Sequence, residues 1–347
     1  SATPNINFSW SIISLMDKEI NEFLKNLTNL SFTPNHISDK GKLKEVIYSL
    51  LTPEWFRFGS IEESTKEFLH KEIGSYVEKN EPIKILNAMG GFKNYRIDTA
   101  PHIDWAEVFH LSFISKVLIK ICEIYEPGVI IEYSGDAHMA CIVDNIKKEW
   151  VDTYLEEFDS LIDYFGSITP KNLKLTHKHF LDFYDFEQMK TEINELGNKE
   201  NLLETKNAET IEKNYLRAVQ NVCFDGEEDL TTLSDSEKEE FIKRSILKAY
   251  IWYELDFEKR NDYFHSFIPI CNLKDFPDTY CVRSIRHLPC PPFWQGKGVL
   301  EIVGNKVHSV ILHNNKYLEE VKSLAVCKVE TLPISIDSLS TIGYKIA

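Results

Sequence analysis

Between residues 83 and 165 the sequence changes period repeatedly, and that alternation leaves few folds open to it. Ile83-Lys84-Ile85-Leu86-Asn87-Ala88-Met89 is a short apolar run of strand character, closed by Gly90-Gly91. From residue 104 to 124 the apolar side chains Val108, Leu111, Ile114, Leu118 and Ile121 recur at the spacing of an amphipathic helix. Asp104 is placed as its N-cap, and Glu107 three residues on completes a capping box. Tyr125-Glu126-Pro127-Gly128 turns the chain into Val129-Ile130-Ile131-Glu132-Tyr133, a β-branched strand that ends at Ser134-Gly135-Asp136, and a helix from Lys147 through Phe165 follows. Strand, loop, helix, turn, strand, loop, helix is the order of an α/β layered domain, whose ligand loops lie at the carboxyl ends of its strands.

The flanks extend this core. Residues 1–80 read as an N-terminal helical cap, with helices near 10–26, 41–51 and 61–79 separated by turns such as Thr33-Pro34-Asn35 and Thr52-Pro53. Residues 81–184 form the first part of the α/β core. Residues 185–270 read as a helical, acidic insertion, solvated and rich in Glu, Lys and Asn, with its sharpest acidic run at Asp225-Gly226-Glu227-Glu228-Asp229. Residues 271–347 return the C-terminal strands of the core, expected at 279–285, 299–303, 307–312 and 324–332, the middle pair joined as a hairpin through Gly304-Asn305.

Composition narrows the partners. A net charge of −15, with no dense run of Lys or Arg, gives a long-range field that repels nucleic-acid phosphates and anionic membrane surfaces. No apolar stretch approaches the ~20 residues of a spanning helix, so neither nucleic acid nor membrane is an expected partner. The seven cysteines are odd in number and form no C-x-x-C pair, which argues for reduced thiols in a cytoplasmic protein rather than a disulfide frame or a zinc ribbon.

Several segments carry candidate chemistry. The loop Gly90-Gly91-Phe92-Lys93-Asn94-Tyr95-Arg96 holds two cations beside two glycines, which suits a carboxylate or a phosphate; a solvated glycine turn is the competing reading. It is not G-x-G-x-x-G, so the dinucleotide fingerprint is absent. His102 and Asp104 would suit an iron triad with a distant His, but a helix cap accounts for Asp104 equally well. His177-Lys178-His179, with no neighbouring Cys or acidic partner in the sequence, reads as an exposed polar turn. Ser134 and Asp136 stand where open α/β sheets hold ligands, and Asp136 or His138 is placed to move a proton, with a structural turn weighing equally. Cys281-Val282-Arg283-Ser284-Ile285-Arg286-His287 reads as a strand with Arg283, Ile285 and His287 on one face. A buried arginine there needs an anion, either a protein carboxylate or a ligand. The loop Pro289 to Trp294 either closes over such a site or covers a sheet edge.

Taken in order, these blocks resemble the isocyanide (isonitrile) synthase family, the pyoverdine/dityrosine biosynthesis proteins, over residues 83–165 and 279–312. The resemblance rests on Phe92-Lys93, Pro101 with Asp104 and Glu107, Tyr125-Glu126-Pro127-Gly128, Ser134-Gly135-Asp136, Val143-Asp144 and Arg283-Ser284-Ile285-Arg286-His287. The chain departs from the family pattern in the order Ser-Gly-Asp, in two extra residues between Pro101 and Asp104, and in the additional Arg286. The resemblance implies a Rossmann-like core with extra helices, no metal and no cofactor, acting on the small-molecule substrates amino acid and sugar phosphate. An amine condenses with the ketone of ribulose 5-phosphate, and one sugar carbon becomes the isocyanide carbon. Under that reading Lys93 and Arg96 bind phosphate or carboxylate, Arg283 holds the other anion, Ser134 and Asp136 contact substrate, and Asp104, Glu107 or His287 moves protons. Two rival readings stand beside it. One is another transferase on the same fold, using an S-adenosyl donor near Met89-Gly90-Gly91; the other is a non-catalytic protein whose acidic 185–245 region meets a basic partner.

Overall fold

The computed structural model describes residues 6–197, 208–255, 257–274, 276, 279–313, 319–320, 323–330 and 332–347. Three helices come first, α1 (Ile6–Leu27), α2 (Lys40–Leu51) and α3 (Glu63–Lys79). The core begins with β1 (Ile83–Met89), α4 (Trp105–Ile124), β2 (Val129–Gly135), α5 (Ala137–Val143), α6 (Lys148–Ile168) and β3 (Leu173–Lys178). The helices α7 (Phe186–Gly197), α8 (Ala208–Asn221), α9 (Asp235–Leu255) and α10 (Phe257–Phe264) intervene before β4 (Ile268–Cys271) and β5 (Tyr280–Cys281).

These five strands form one parallel sheet in the order β3-β2-β1-β4-β5. The chain first moves outward from β1 in one direction, then crosses back to β4 on its other side. The carboxyl ends of β1 and β4 therefore diverge into loops on opposite sides, the switch point at which doubly wound sheets open a crevice. The fold is thus α/β, as the sequence pattern predicts.

The last strands depart from expectation. β6 (Gly296–Val303) and β7 (Lys306–His313) make the foreseen hairpin, turning at Gly304 with φ +62°. They do not extend the parallel sheet, however, but join β8 (Ala325–Lys328) and β9 (Thr341–Ile346) in a second sheet of order β7-β6-β9-β8. The expected strand over 279–285 shrinks to two residues. Beyond Cys281 the chain leaves the sheet, with the Arg283 amide donating to the Phe56 carbonyl at 2.8 Å, so the alternation of faces from Arg283 to His287 does not hold.

Helix α4 fills the space between the two sheets, with fifteen of its twenty residues buried. On one side Ile114, Leu118 and Ile121 join Ile83, Ile85, Val129 and Ile131 in the main core. On the other, Gly298 of β6 lies so close that a side chain there would overlap the backbone of Trp105 and Ala106. A helix that meets sheets on two faces keeps only a narrow solvated edge, here Lys116 and Lys120, which explains why most of its surface is apolar. Among the described residues no helix is long and apolar enough to cross a membrane.

Candidate functional site

A cavity of about 340 Å³ opens at the switch point, lined by Ala88, Met89 and Gly90 at the end of β1 and by Cys271 at the end of β4. Its polar wall comes from Asp136 after β2, Asp144 after α5, and Arg217, Gln220 and Asn221 of α8. Met139, Trp252, Tyr253 and Trp294 supply much of the rest. The glycines let the backbone fit here. A side chain at Gly90 would overlap the Trp294 indole, and Gly91 adopts φ +73° with its α-carbon pressed toward Ala137, where an added Cβ would meet that residue's Cβ at 2.8 Å.

Asp136 is aimed by Trp252, whose indole N–H donates to its Oδ2 at 3.2 Å. Asp144 is 5 % exposed and accepts the Ser245 hydroxyl at 2.8 Å. Burial pushes the Asp144 carboxyl upward, and the positive charge of Arg217 opposes that rise. The negative charge of Asp136, together with burial, pushes the Tyr253 phenol up to about 12. The cavity thus presents two carboxylates, one guanidinium and an aromatic wall, a pattern complementary to a small ligand carrying both an amine and an acid.

Of the residues to which the sequence assigns substrate contact or proton transfer under the family resemblance, Asp136 alone lines this cavity. Lys93 lies elsewhere, with its ammonium wholly enclosed. It stands 3.0 Å from both carboxylate oxygens of Glu107 and from Asp104 Oδ2, and it donates to the Phe293 carbonyl at 3.2 Å. Asp104 caps α4 by accepting from the Ala106 amide at 2.8 Å, and it also accepts from the Gly298 amide and the Thr99 hydroxyl, both at 3.0 Å. Glu107 takes the Asp104 amide at 2.8 Å, closing the capping box, and the Tyr154 hydroxyl at 3.1 Å. Every oxygen of both acids is engaged within the protein. Burial and the neighbouring Asp104 charge push Glu107 up to about 7, although Lys93 pulls it back. For Lys93, burial opposes the charge but the two carboxylates outweigh it, and its pKa rises. The trio therefore ties the glycine loop to α4 and to β6 and offers no group to a ligand.

The remaining candidates are likewise dispersed. Arg96 stacks on Tyr95 and donates to the Val219 carbonyl at 2.9 Å, in the last turn of α8, while the Tyr95 hydroxyl donates to the Val222 carbonyl at 2.9 Å. A cation at a helix carboxyl end is favourable, and here it anchors the helix that carries Arg217. Arg283 donates to the carbonyls of Arg57 and Arg286. His287 is exposed and meets His308 at 3.2 Å. Ser134 is buried, its hydroxyl on the Lys178 carbonyl at 3.0 Å. The expected gathering of Lys93, Arg96 and Arg283 in one pocket does not occur, because protein carboxylates and carbonyls already hold each of them.

Residues the sequence reading passed over carry the cavity instead. Arg217, Gln220 and Asn221 fall in the region expected to be solvated, yet Ala218 of α8 and Val222, just past its end, are buried against α9. The four-residue interval of those two apolar positions was the available signal that this helix has an inner face.

No protein-family model matches the sequence, and no curated protein matches it. Among solved structures, the PvcA protein from Pseudomonas aeruginosa superposes with a TM-score of 0.58 at 15 % identity, over 87 % of this chain and 99 % of that one. The fold is similar to that of PvcA. At this identity the likeness is one of architecture, and it extends over most of both chains.

Proposed function

We propose that this chain is a small-molecule biosynthetic enzyme of isocyanide-synthase type, joining the amine of an amino acid to the ketone of ribulose 5-phosphate. The observation that carries the reading is the cavity at the switch point, with Asp136 and Asp144 facing Arg217 in a space large enough for one amino acid. The ordered motifs of residues 83–165 and the fold likeness to PvcA support it.

In this reading Arg217 receives the substrate's anionic group, and Trp252, Tyr253 and Trp294 enclose an apolar side chain. Imine formation requires a neutral amine, so a carboxylate must take its proton. Asp136, oriented by Trp252, is assigned that role, and the partly shielded Asp144 holds the amine in place. Lys93, Asp104 and Glu107 are assigned to the scaffold, and Arg96 to positioning α8. Arg217 is the one arginine or lysine in the cavity wall among the described residues, so the sugar phosphate and the amino-acid carboxylate compete for it unless they bind in sequence.

The direct experiment incubates the protein with mixed amino acids and ribulose 5-phosphate and searches by mass for a product with one more carbon and two fewer hydrogens than an amino acid. Its appearance, and its loss in Asp136→Asn, is the expected result. A second arm titrates S-adenosylmethionine calorimetrically, because the cavity abuts Met89 and Gly90. Binding there without the condensation product favours the transferase reading.

A further inference from the structure

At the carboxyl end of β3, three side chains converge that the proposed reaction does not use. Asp159 projects from α6, His177 is the penultimate residue of β3, and His179 is the first residue beyond it. His177 Nδ1 lies 2.6 Å from Asp159 Oδ1, and His179 Nε2 lies 2.8 Å from Asp159 Oδ2. The two imidazoles stand 4.3 Å apart, centre to centre. The side chain of His177 is only 3 % exposed and meets the edge of Phe158, whereas those of Asp159 and His179 are 39 % and 29 % exposed. The cluster is a cup with an aromatic floor and an open mouth. It corrects the sequence reading of His177-Lys178-His179 as an exposed turn without an acidic neighbour, since the acid arrives from a helix eighteen residues earlier.

We propose that Asp159, His177 and His179 form a binding site for a borderline divalent cation of the zinc class, separate from the cavity. Two imidazole nitrogens and one carboxylate are a donor set such cations prefer, and three protein ligands leave a fourth, tetrahedral position for water. The three donor atoms lie within 4.8 Å of one another. Bonds of ~2.0–2.2 Å place tetrahedral ligands about 3.4 Å apart, so the two contacts of Asp159 with the imidazoles, at 2.6 and 2.8 Å, need to open by roughly 0.6–0.8 Å. Asp159, at the exposed mouth, is the side chain free to make that shift. This inference departs from the metal-free expectation and does not depend on the proposed reaction.

The test strips the full chain with chelator and titrates Co²⁺, then Zn²⁺. The expected result is one equivalent of Co²⁺ with tetrahedral visible bands and no thiolate charge-transfer band, displaced by Zn²⁺, which also raises Tm. Asp159→Asn and His179→Gln should each abolish that equivalent while far-UV circular dichroism is unchanged. His179 is partly exposed, so its variant keeps the test open should Asp159→Asn fold poorly. Absence of binding by the wild-type chain, equal binding by His179→Gln, or a thiolate signature from the free cysteines overturns the proposal.

Discussion

Lys93 is a charge that no solvent reaches, held by two acids that would themselves be stranded without it. Removing one partner of such a cluster leaves an uncompensated buried charge, at a cost of about 3–5 kcal/mol. Lys93→Met should therefore lower the unfolding free energy by that amount in denaturant titrations, and adding Glu107→Gln should restore part of it. A lysine that served only to bind substrate would give the opposite pattern, with intact stability and lost affinity. Glu107 adds a pH signature. Its folded-state pKa, pushed up to about 7 from an ordinary value near 4.5, means that the folded chain holds this proton more tightly than the unfolded one. Its contribution to stability is accordingly complete below about pH 4.5 and is lost as pH rises through about 7. Denaturant midpoints measured from pH 5 to 7.5 should fall more steeply for the wild type than for Glu107→Gln, and parallel slopes would exclude the assignment.

Elements, more than single residues, decide where the architecture was legible. The apolar run of β1, the capping box of α4 and the Gly304 turn are local devices, and each stands where its residues predict. What pairs with what is not local. Nothing in the alternation of β6 reveals that it turns away from the parallel sheet to cover the second face of α4; that follows from α4 being apolar on more than one face, with a solvated edge only at Lys116 and Lys120, which demands a second layer. Gly298 marks the contact. Gly298→Ala forces a Cβ into the Trp105–Ala106 backbone, which cannot rotate aside, and should cost about 3 kcal/mol, the upper part of the overpacking range. Gly304→Ala faces open space and meets only the penalty of its positive φ, about 1–2 kcal/mol. Thermal unfolding of the pair should rank them in that order, and an equal loss would mean that α4 and β6 are not in close contact.

Across the whole molecule, the cavity joins parts of the chain that are far apart in sequence, which is why its chemistry was only partly readable. Asp136 was visible because a strand end announces it. Arg217 was not, because an arginine in a polar helix looks solvated until tertiary packing turns that helix inward and Arg96 fixes its end. If Arg217 holds the substrate's anion, Arg217→Gln should raise KM by about 10- to 150-fold, equivalent to the ~1.5–3 kcal/mol of one charge-assisted contact, with little change in kcat. The net charge of −15 then acts in the opposite sense at longer range. Under the proposed function a doubly charged sugar phosphate would approach an anionic molecule whose cavity arginine is felt only at short distance, so the far field would slow its capture. Between ionic strengths of ~10 mM and ~150 mM the Debye length contracts from roughly 30 to 8 Å, which screens that far field while sparing contacts inside the cavity. The kcat/KM for the sugar phosphate should therefore rise with salt over this range, and that for a zwitterionic amino acid should stay nearly level. A sugar-phosphate rate that falls with salt would instead mean that a local cationic field governs entry, and the anion site would have to be sought outside the cavity defined by Asp136, Asp144 and Arg217.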